Sequence, residues 1–184
     1  MASITTCLWF DGRAEEAAEF YVRVFAEGGR SAKIGRIARY GKSAAKASGQ
    51  PEGSVLTVEF ELDGNKFLGL NGGPIFKFTP ATSFVVNCET QEEIDYFWAR
   101  LAEGGKEGQC GWIDYDKFGV SWQIVPAFIG ELVSDPDPAK AESAMKAILS
   151  MTKPDVAALE QASGRRERVR TLLPSVSSSS HRAG

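Results

Sequence analysis

Few side chains in this sequence could do chemistry, and their positions restrict them further. The single histidine, His181, lies in the closing run SVSSSSHRAG. That Ser- and Arg-rich end is expected to be disordered, and a histidine there cannot complete a Ser-His-Asp or Cys-His arrangement. The three cysteines, Cys7, Cys88 and Cys110, are odd in number, widely spaced and lack a C-x-x-C pair. They predict neither a disulfide framework nor a zinc knuckle, and a reducing cytoplasm is the expected compartment. All three read first as packed core residues, and Cys110, after Gly108 in a flexible stretch, is the best placed of three poor candidates for a nucleophile. Two carboxylate pairs, Glu59 with Glu61 and Asp114 with Asp116, alternate along expected strands and could do acid–base work. As strand faces they read as solvated. Among the aromatics, Trp9, Phe67, Phe78, Trp112 and Trp122 are core candidates, with Trp9 and Trp122 able to wall a cleft of the usual apolar kind.

The elements that would position these groups come from an internal repeat. Residues 15–29 read EEAAEFYVRVFAEGG and residues 92–105 read EEIDYFWARLAEGG. Ala17, Phe20, Tyr21 and Val24 fall at i, i+3, i+4 and i+7, as do Ile94, Phe97, Trp98 and Leu101, so each segment predicts an amphipathic helix. Acidic residues occupy both first turns, where the helix dipole favours them, and paired glycines follow both last turns. Phe25 is extra in the first copy. Before each helix lies a strand-like run, residues 4–10 and 82–88. After the first come strands at 32–40, 54–62 and 66–70, the last two joined by the turn pair Asp63-Gly64. After the second come strands at 107–110, 112–115 and 120–125. The order is βαβββ twice, an α+β fold of tandem modules forming a curved mixed sheet around a cleft, plus C-terminal helices.

The expected divisions are residues 1–74 and 75–127 for the two modules, 128–163 for a helical extension with helices at 138–151 and 155–162, and 164–184 for a disordered tail. Asn71-Gly72-Gly73-Pro74 breaks the chain between the modules. The small polar residues 41–53 predict a flexible surface loop. The net charge is −3, but five arginines and one glutamate follow Gly164. Removing them from 21 basic and 24 acidic residues leaves 16 and 23, a charge of −7 for residues 1–164. An acidic body predicts no nucleic-acid partner. No apolar run is long enough for a membrane span, and the N-terminus lacks the pattern of a signal peptide.

The doubled βαβββ order resembles the vicinal oxygen chelate superfamily, which includes glyoxalase I, extradiol dioxygenases and bleomycin-resistance proteins. Within it, ITTCLWFDGRAEEAAEFYVRVF (4–25), SVLTVEFELDG (54–64), FLGLNGGP (67–74), FVVNCETQEEIDYFW (84–98), GWIDYDKFGVSWQIVP (111–126) and SDPDPAKAESAMKAILSM (134–151) look like the PhnB-like group, whose members often carry the label 3-demethylubiquinone-9 3-methyltransferase. The resemblance covers about residues 2–163.

In metal-using relatives, the first and last strands of each module lend His, Glu or Gln ligands to one ion. Carried onto this sequence, those positions are Thr6 and Ser83, each fifteen residues before the matched Tyr21 and Trp98, Gln123 after the turn glycine Gly119, and Leu68 or Leu70. Two hydroxyls, an amide and a leucine make a weak donor set for a divalent metal. The resemblance therefore implies a metal-free, cofactor-free cleft lined by Thr6, Trp9, Leu68, Leu70, Ser83, Trp122 and Gln123 that binds an unidentified small molecule, in a homodimer to which the apolar side of Ala141, Met145, Ile148 and Leu149 could contribute. An enzyme acting on a small oxygenated or aromatic substrate, lyase-like, dioxygenase-like or a methyltransferase, stays open beside it. A class I methyltransferase would need a glycine-rich turn between a strand and a helix, whereas Gly72-Gly73-Pro74 leads toward the strand at 82–88.

Overall fold

The computed structural model describes residues 4–165. Alternation of apolar and polar residues sets the strands of the first module: β1 (Thr6–Phe10), β2 (Ala32–Arg39), β3 (Val55–Leu62) and β4 (Asn65–Asn71), with helix α1 (Ala14–Glu27) between β1 and β2. β3 buries Val58, Phe60 and Leu62, as period-2 alternation on a one-sided sheet requires, and Val55 out of that phase, next to the register irregularity at Ala38 and Arg39 of β2. Asp63-Gly64, both at positive φ, closes the β3–β4 hairpin. The second module repeats the plan with β5 (Ser83–Cys88), α3 (Gln91–Ala102), β6 (Lys106–Glu107), β7 (Trp112–Tyr115) and β8 (Ser121–Pro126). Each module forms its own four-stranded mixed sheet, β1-β4-β3-β2 and β5-β8-β7-β6, with the first strand parallel to the last and the other neighbours antiparallel. The α+β class and the tandem modules are thus as the sequence predicts.

Both helices turn their apolar stripes to a shared core. α1 buries Ala17, Phe20, Tyr21 and Val24, and α3 buries Ile94, Phe97, Trp98 and Leu101. The extra residue Phe25 is also buried, its ring 5.2 Å from that of Phe97 and 6.1 Å from that of Trp122. The core continues through Leu8, Phe10, Phe60 and Phe67 of one sheet and Val86, Cys88, Trp122 and Ile124 of the other. Because the helix-side faces of both sheets meet in one core, their other faces are turned outward.

Residues 41–53 are not the loop that their small polar composition predicts. Lys42–Ser48 forms a short helix, α2, closed by Gly49 at φ 72°. Its three alanines have high helix propensity, and Ala45 finds a buried position. After β8 come α4 (Ile129–Val133), α5 (Pro138–Leu149) and α6 (Val156–Ser163). Asp137 caps α5 with Pro138 in its first turn, and Asp155 caps α6. α5 buries Ala144 and Ile148 and leaves Met145 and Leu149 exposed. Of the expected tail, Gly164 ends α6 in the left-handed conformation, and Arg165 pairs with Glu131 at 2.9 Å. The remainder, 166–184, including His181, lies outside the described residues. No helix among the described residues is long and apolar enough to cross a membrane.

The modules are joined by a buried carboxylate. Asp116, expected on a solvated face, is 1% exposed. It opens the β7–β8 turn, where Oδ1 accepts from the backbone N–H of Phe118 at 2.8 Å and Val120 at 3.0 Å. Oδ2 accepts from Trp122 Nε1 at 2.8 Å and, across the module boundary, from the Tyr21 hydroxyl of α1 at 2.7 Å. Burial pushes the Asp116 carboxyl above its ordinary range, while Trp122, Tyr21 and the two backbone donors pull it back. Arg30 makes a second clasp, donating to Asp63 at 2.9 Å in the first module and to the Asn87 carbonyl at 2.6 Å in the second.

Removing a partner from this carboxylate leaves donors or charge buried and unsatisfied. Asp116→Asn sets an amide N–H against the Trp122 or Tyr21 donor, and a loss of about 2–4 kcal/mol is expected in urea unfolding; Tyr21→Phe should lose about 1.5–3 kcal/mol. Burial, followed by the charge and hydrogen bond of Asp116, also raises the Tyr21 phenol well above its ordinary value. A raised folded pKa means that this contribution is whole below about pH 10 and is lost as pH climbs beyond it. Ultraviolet titration of the four tyrosines should therefore show Tyr21 ionising together with unfolding, a coincidence that Tyr21→Phe removes.

Candidate functional site

The strand registers correct the expected equivalence of Thr6 and Ser83. In the parallel pairs, Thr6 lies opposite Phe67 and Phe84 lies opposite Trp122. Leu8 and Phe10 are buried on β1 as Val86 and Cys88 are on β5. On the strands, then, Thr6 corresponds to Phe84, and Ser83 corresponds to Thr5. The helices match at a spacing of 77 residues but the strands at 78, because three residues link β1 to α1 and only two link β5 to α3. One residue along a strand moves a side chain to the other face. The same pairing makes Phe67 the counterpart of Trp122, so Leu68, rather than Leu70, matches Gln123.

The seven expected site residues do not share one cleft within the chain. Thr6, Ser83 and Trp122 border a recess of about 260 Å³ at the module boundary, together with Phe67, Phe84, Arg30 and Asn65. Gln123 Nε2 donates to Ser83 Oγ at 2.9 Å, linking β8 to β5 beside it. The Trp122 ring belongs mainly to the core, at 2% exposure, with Phe84 at 5.5 Å and Tyr21 at 5.2 Å. Leu68 lies in a hollow of about 540 Å³ on the outward face of the first sheet, with Thr5, Lys33, Glu59, Glu61 and Lys66. Leu70 is half-buried two residues further along β4. Trp9 borders a separate recess of about 350 Å³ at the other end of the boundary.

Trp9 explains the glycines that follow β4. Its Nε1 donates to the Gly73 carbonyl at 2.8 Å. A Cβ on Gly72 would fall inside the van der Waals envelope of three indole atoms, Cζ2, Cη2 and Cε2. Gly73 sits at φ 88°, a conformation that suits glycine. Gly72-Gly73-Pro74 is therefore shaped around an indole, and the next regular element is strand β5, not a helix. The asparagine before it, Asn71, is 4% exposed; its Oδ1 accepts from the Ala14 N–H that starts α1, and its Nδ2 donates to the Val55 carbonyl.

The other reactive candidates resolve as follows. Cys7, expected in the core, is exposed on the helix-free face of its sheet, and partial burial raises its thiol. The buried positions of β1 are Leu8 and Phe10 instead. Cys88 is fully buried, and burial pushes its thiol up to about 12, the opposite of an activated thiolate. Cys110 is half-buried at φ 60°, its N–H donating to the Met151 carbonyl at 2.7 Å. Glu59 and Glu61 pair with Arg36 at 3.2 Å and Lys33 at 3.4 Å, and Asp114 pairs with Lys106 at 2.9 Å, as solvated strand faces would. Among the described residues, no group of three or more His, Cys, Asp or Glu is placed to hold a metal ion. Sequence reading misses Thr5, Phe84 and Arg30. Their only available signals are the one-residue difference in linker length and the arginine that follows the first Gly-Gly.

Comparison with known proteins agrees with this architecture. A family model described as 3-demethylubiquinone-9 3-methyltransferase matches residues 2–125 and ends before α4, α5 and α6. A Bacillus cereus structure, described as a 3-demethylubiquinone-9 3-methyltransferase and PhnB protein, is 36% identical, covers 67% of this chain, is itself 99% covered, and superposes with a TM-score of 0.57. Protein PA1353 from Pseudomonas aeruginosa is 17% identical over 68% of this chain and 98% of its own, with a TM-score of 0.52, and shares the fold. No curated protein matches.

The packing of Trp9 on Gly72 yields a direct test. Gly72→Ala should expel the indole from its seat and cost about 1–3 kcal/mol by overpacking. A red shift of tryptophan emission at unchanged far-ultraviolet circular dichroism is the expected signature, and Trp9→Phe should abolish that shift.

Proposed function

The chain belongs to the family described as 3-demethylubiquinone-9 3-methyltransferase, the PhnB-like proteins of glyoxalase-like fold, and from that premise we propose that it binds a small molecule without a metal ion. The observation that carries this reading is the boundary recess bordered by Ser83, whose Oγ accepts from Gln123 Nε2. The recess has an aromatic floor of Phe67, Phe84 and Trp122 and a polar rim of Thr6, Ser83 and Asn65, the division of labour of a site that encloses a ring or chain and orients it by a few hydrogen bonds. Both Ser83 Oγ and Gln123 keep further donor and acceptor capacity beyond the bond they share.

The donor chemistry supports a metal-free site. The positions that correspond between modules are Thr5 with Ser83 and Leu68 with Gln123. Two hydroxyls, a leucine and an amide offer no anionic or imidazole ligand. The Gly72-Gly73 turn does not suit S-adenosylmethionine either, since Trp9 packs against Gly72, donates to the Gly73 carbonyl, and the turn leads into no helix. The two outward sheet faces, with Leu68 on one and Val85 50% exposed on the other, favour a homodimer that covers them.

Three measurements test the proposal. A thermal-shift screen of small oxygenated and aromatic compounds should yield a stabilising ligand whose effect falls by at least half in Ser83→Ala and in Gln123→Ala, each folded as the parent. Elemental analysis of protein purified without chelator should find no stoichiometric divalent ion; one ion per chain would overturn the metal-free assignment. Sedimentation equilibrium should report twice the mass of the chain.

A further inference from the structure

We propose that the recess at the other end of the module boundary is a second binding site, suited to an aromatic carboxylate. It lies apart from the recess that Ser83 borders and shares none of its lining residues. Three structural units meet there: the end of β1 with the start of α1, the linker between the modules, and the β7–β8 turn. Its volume of about 350 Å³ falls within the range of small-molecule sites and accommodates one or two fused rings.

The walls are aromatic in a specific way. The Phe76 ring meets Trp9 edge-on at 4.9 Å, yet the residue is 63% exposed. Phe78, next but one in the linker, packs on Phe10 at 5.3 Å and anchors the linker to the core. Phe118 forms the opposite side. The linker thus holds one phenyl ring down and leaves another standing over an open space beside an indole whose nitrogen is already committed to Gly73. A planar ring entering this space would cover the exposed face of Phe76 and gain offset or edge contacts with Trp9.

The charges at the rim specify the other half of the ligand. Lys77, between Phe76 and Phe78 in sequence, is exposed and takes part in no ion pair among the described residues. Lys117 Nζ lies 3.8 Å from the centre of the Phe20 ring, and the Arg13 guanidinium lies 4.5 Å over Phe118 while bound to Glu16. Of the two acids in the lining, Asp114 is neutralised by Lys106 at 2.9 Å, which leaves Asp11. Two lysines against one free carboxylate favour an anionic substituent, and an ammonium beside an aromatic wall binds a carboxylate attached to a ring better than either part alone.

The test uses 2-naphthoate as the probe and 2-naphthalenemethanol as its neutral counterpart. Of the four tryptophans, only Trp9 borders this recess, so its indole N–H resonance, assigned with Trp9→Phe, reports occupancy in a nitrogen–proton correlation spectrum. Saturable shifts of that resonance are expected with naphthoate, weakened about tenfold in Phe76→Ala and about tenfold in Lys77→Gln. Both positions are exposed, so the fold should persist, as unchanged melting temperatures would show. The neutral compound should bind about tenfold more weakly than naphthoate to the parent and equally to Lys77→Gln. Ser83→Ala should leave naphthoate binding unchanged, which separates this site from the one proposed above. The assignment is overturned if no saturable shift of Trp9 occurs, if the linker variants bind naphthoate as the parent does, if both compounds bind the parent alike, or if Ser83→Ala weakens binding as much as Phe76→Ala.

Discussion

A buried carboxylate, beside the Arg30 clasp and within the shared core, ties the two modules to each other. Asp116 belongs to the turn of the second module, but its Oδ2 is shared between Trp122 of the same module and Tyr21 of the first. A charge so placed is tolerable only while four donors surround it. The same four bonds tie the β7–β8 turn, the Trp122 indole and helix α1 to one group. Trp122 then supports Phe84, and Phe84 meets Phe67 at 5.2 Å across the boundary. The aromatic floor of the Ser83 recess thus includes the indole that this aspartate holds.

The sequence discloses the repeat because amphipathic helices write their period directly into residue order. Tyr21 and Trp98, matched by pattern, are both buried on equivalent helix faces. Strand equivalence is harder to read, since a helix repeat carries no information about the linker that precedes it. The missing linker residue before α3 turns the expected partner of Ser83 from Thr6 into Thr5, a shift too small to see in composition but large enough to reverse a face. Cys7 shows a related limit. Alternation assigns it a face but does not say which face a helix covers, and the helices cover the side of Leu8 and Phe10.

Asp116 illustrates why a structural centre can look ordinary in sequence. An Asp-Lys-Phe-Gly run reads as a polar turn, and by local chemistry it is one, with Gly119 at φ 93°. What buries it is Tyr21, ninety-five residues earlier, and no local pattern reports that contact. The two modules have also diverged around the shared plan. β2 has eight residues where β6 has two. In the second module, the segment between α5 and α6 supplies carbonyls of Met151 and Thr152 to the N–H groups of Cys110 and Gly111, satisfying backbone that a longer strand would otherwise pair.

The seat of Trp9 over Gly72 has a consequence for how this protein can change. Position 72 has no room for any side chain while an indole occupies position 9, so the fitness of a substitution at one site is conditional on the residue at the other. A smaller residue at position 9 would have to arise before Gly72 could be replaced, and the reverse order would pass through a strained intermediate. The two positions, sixty-three residues apart, form a directional epistatic pair, and any side chain at position 72 has to be prepared by a change in the first strand.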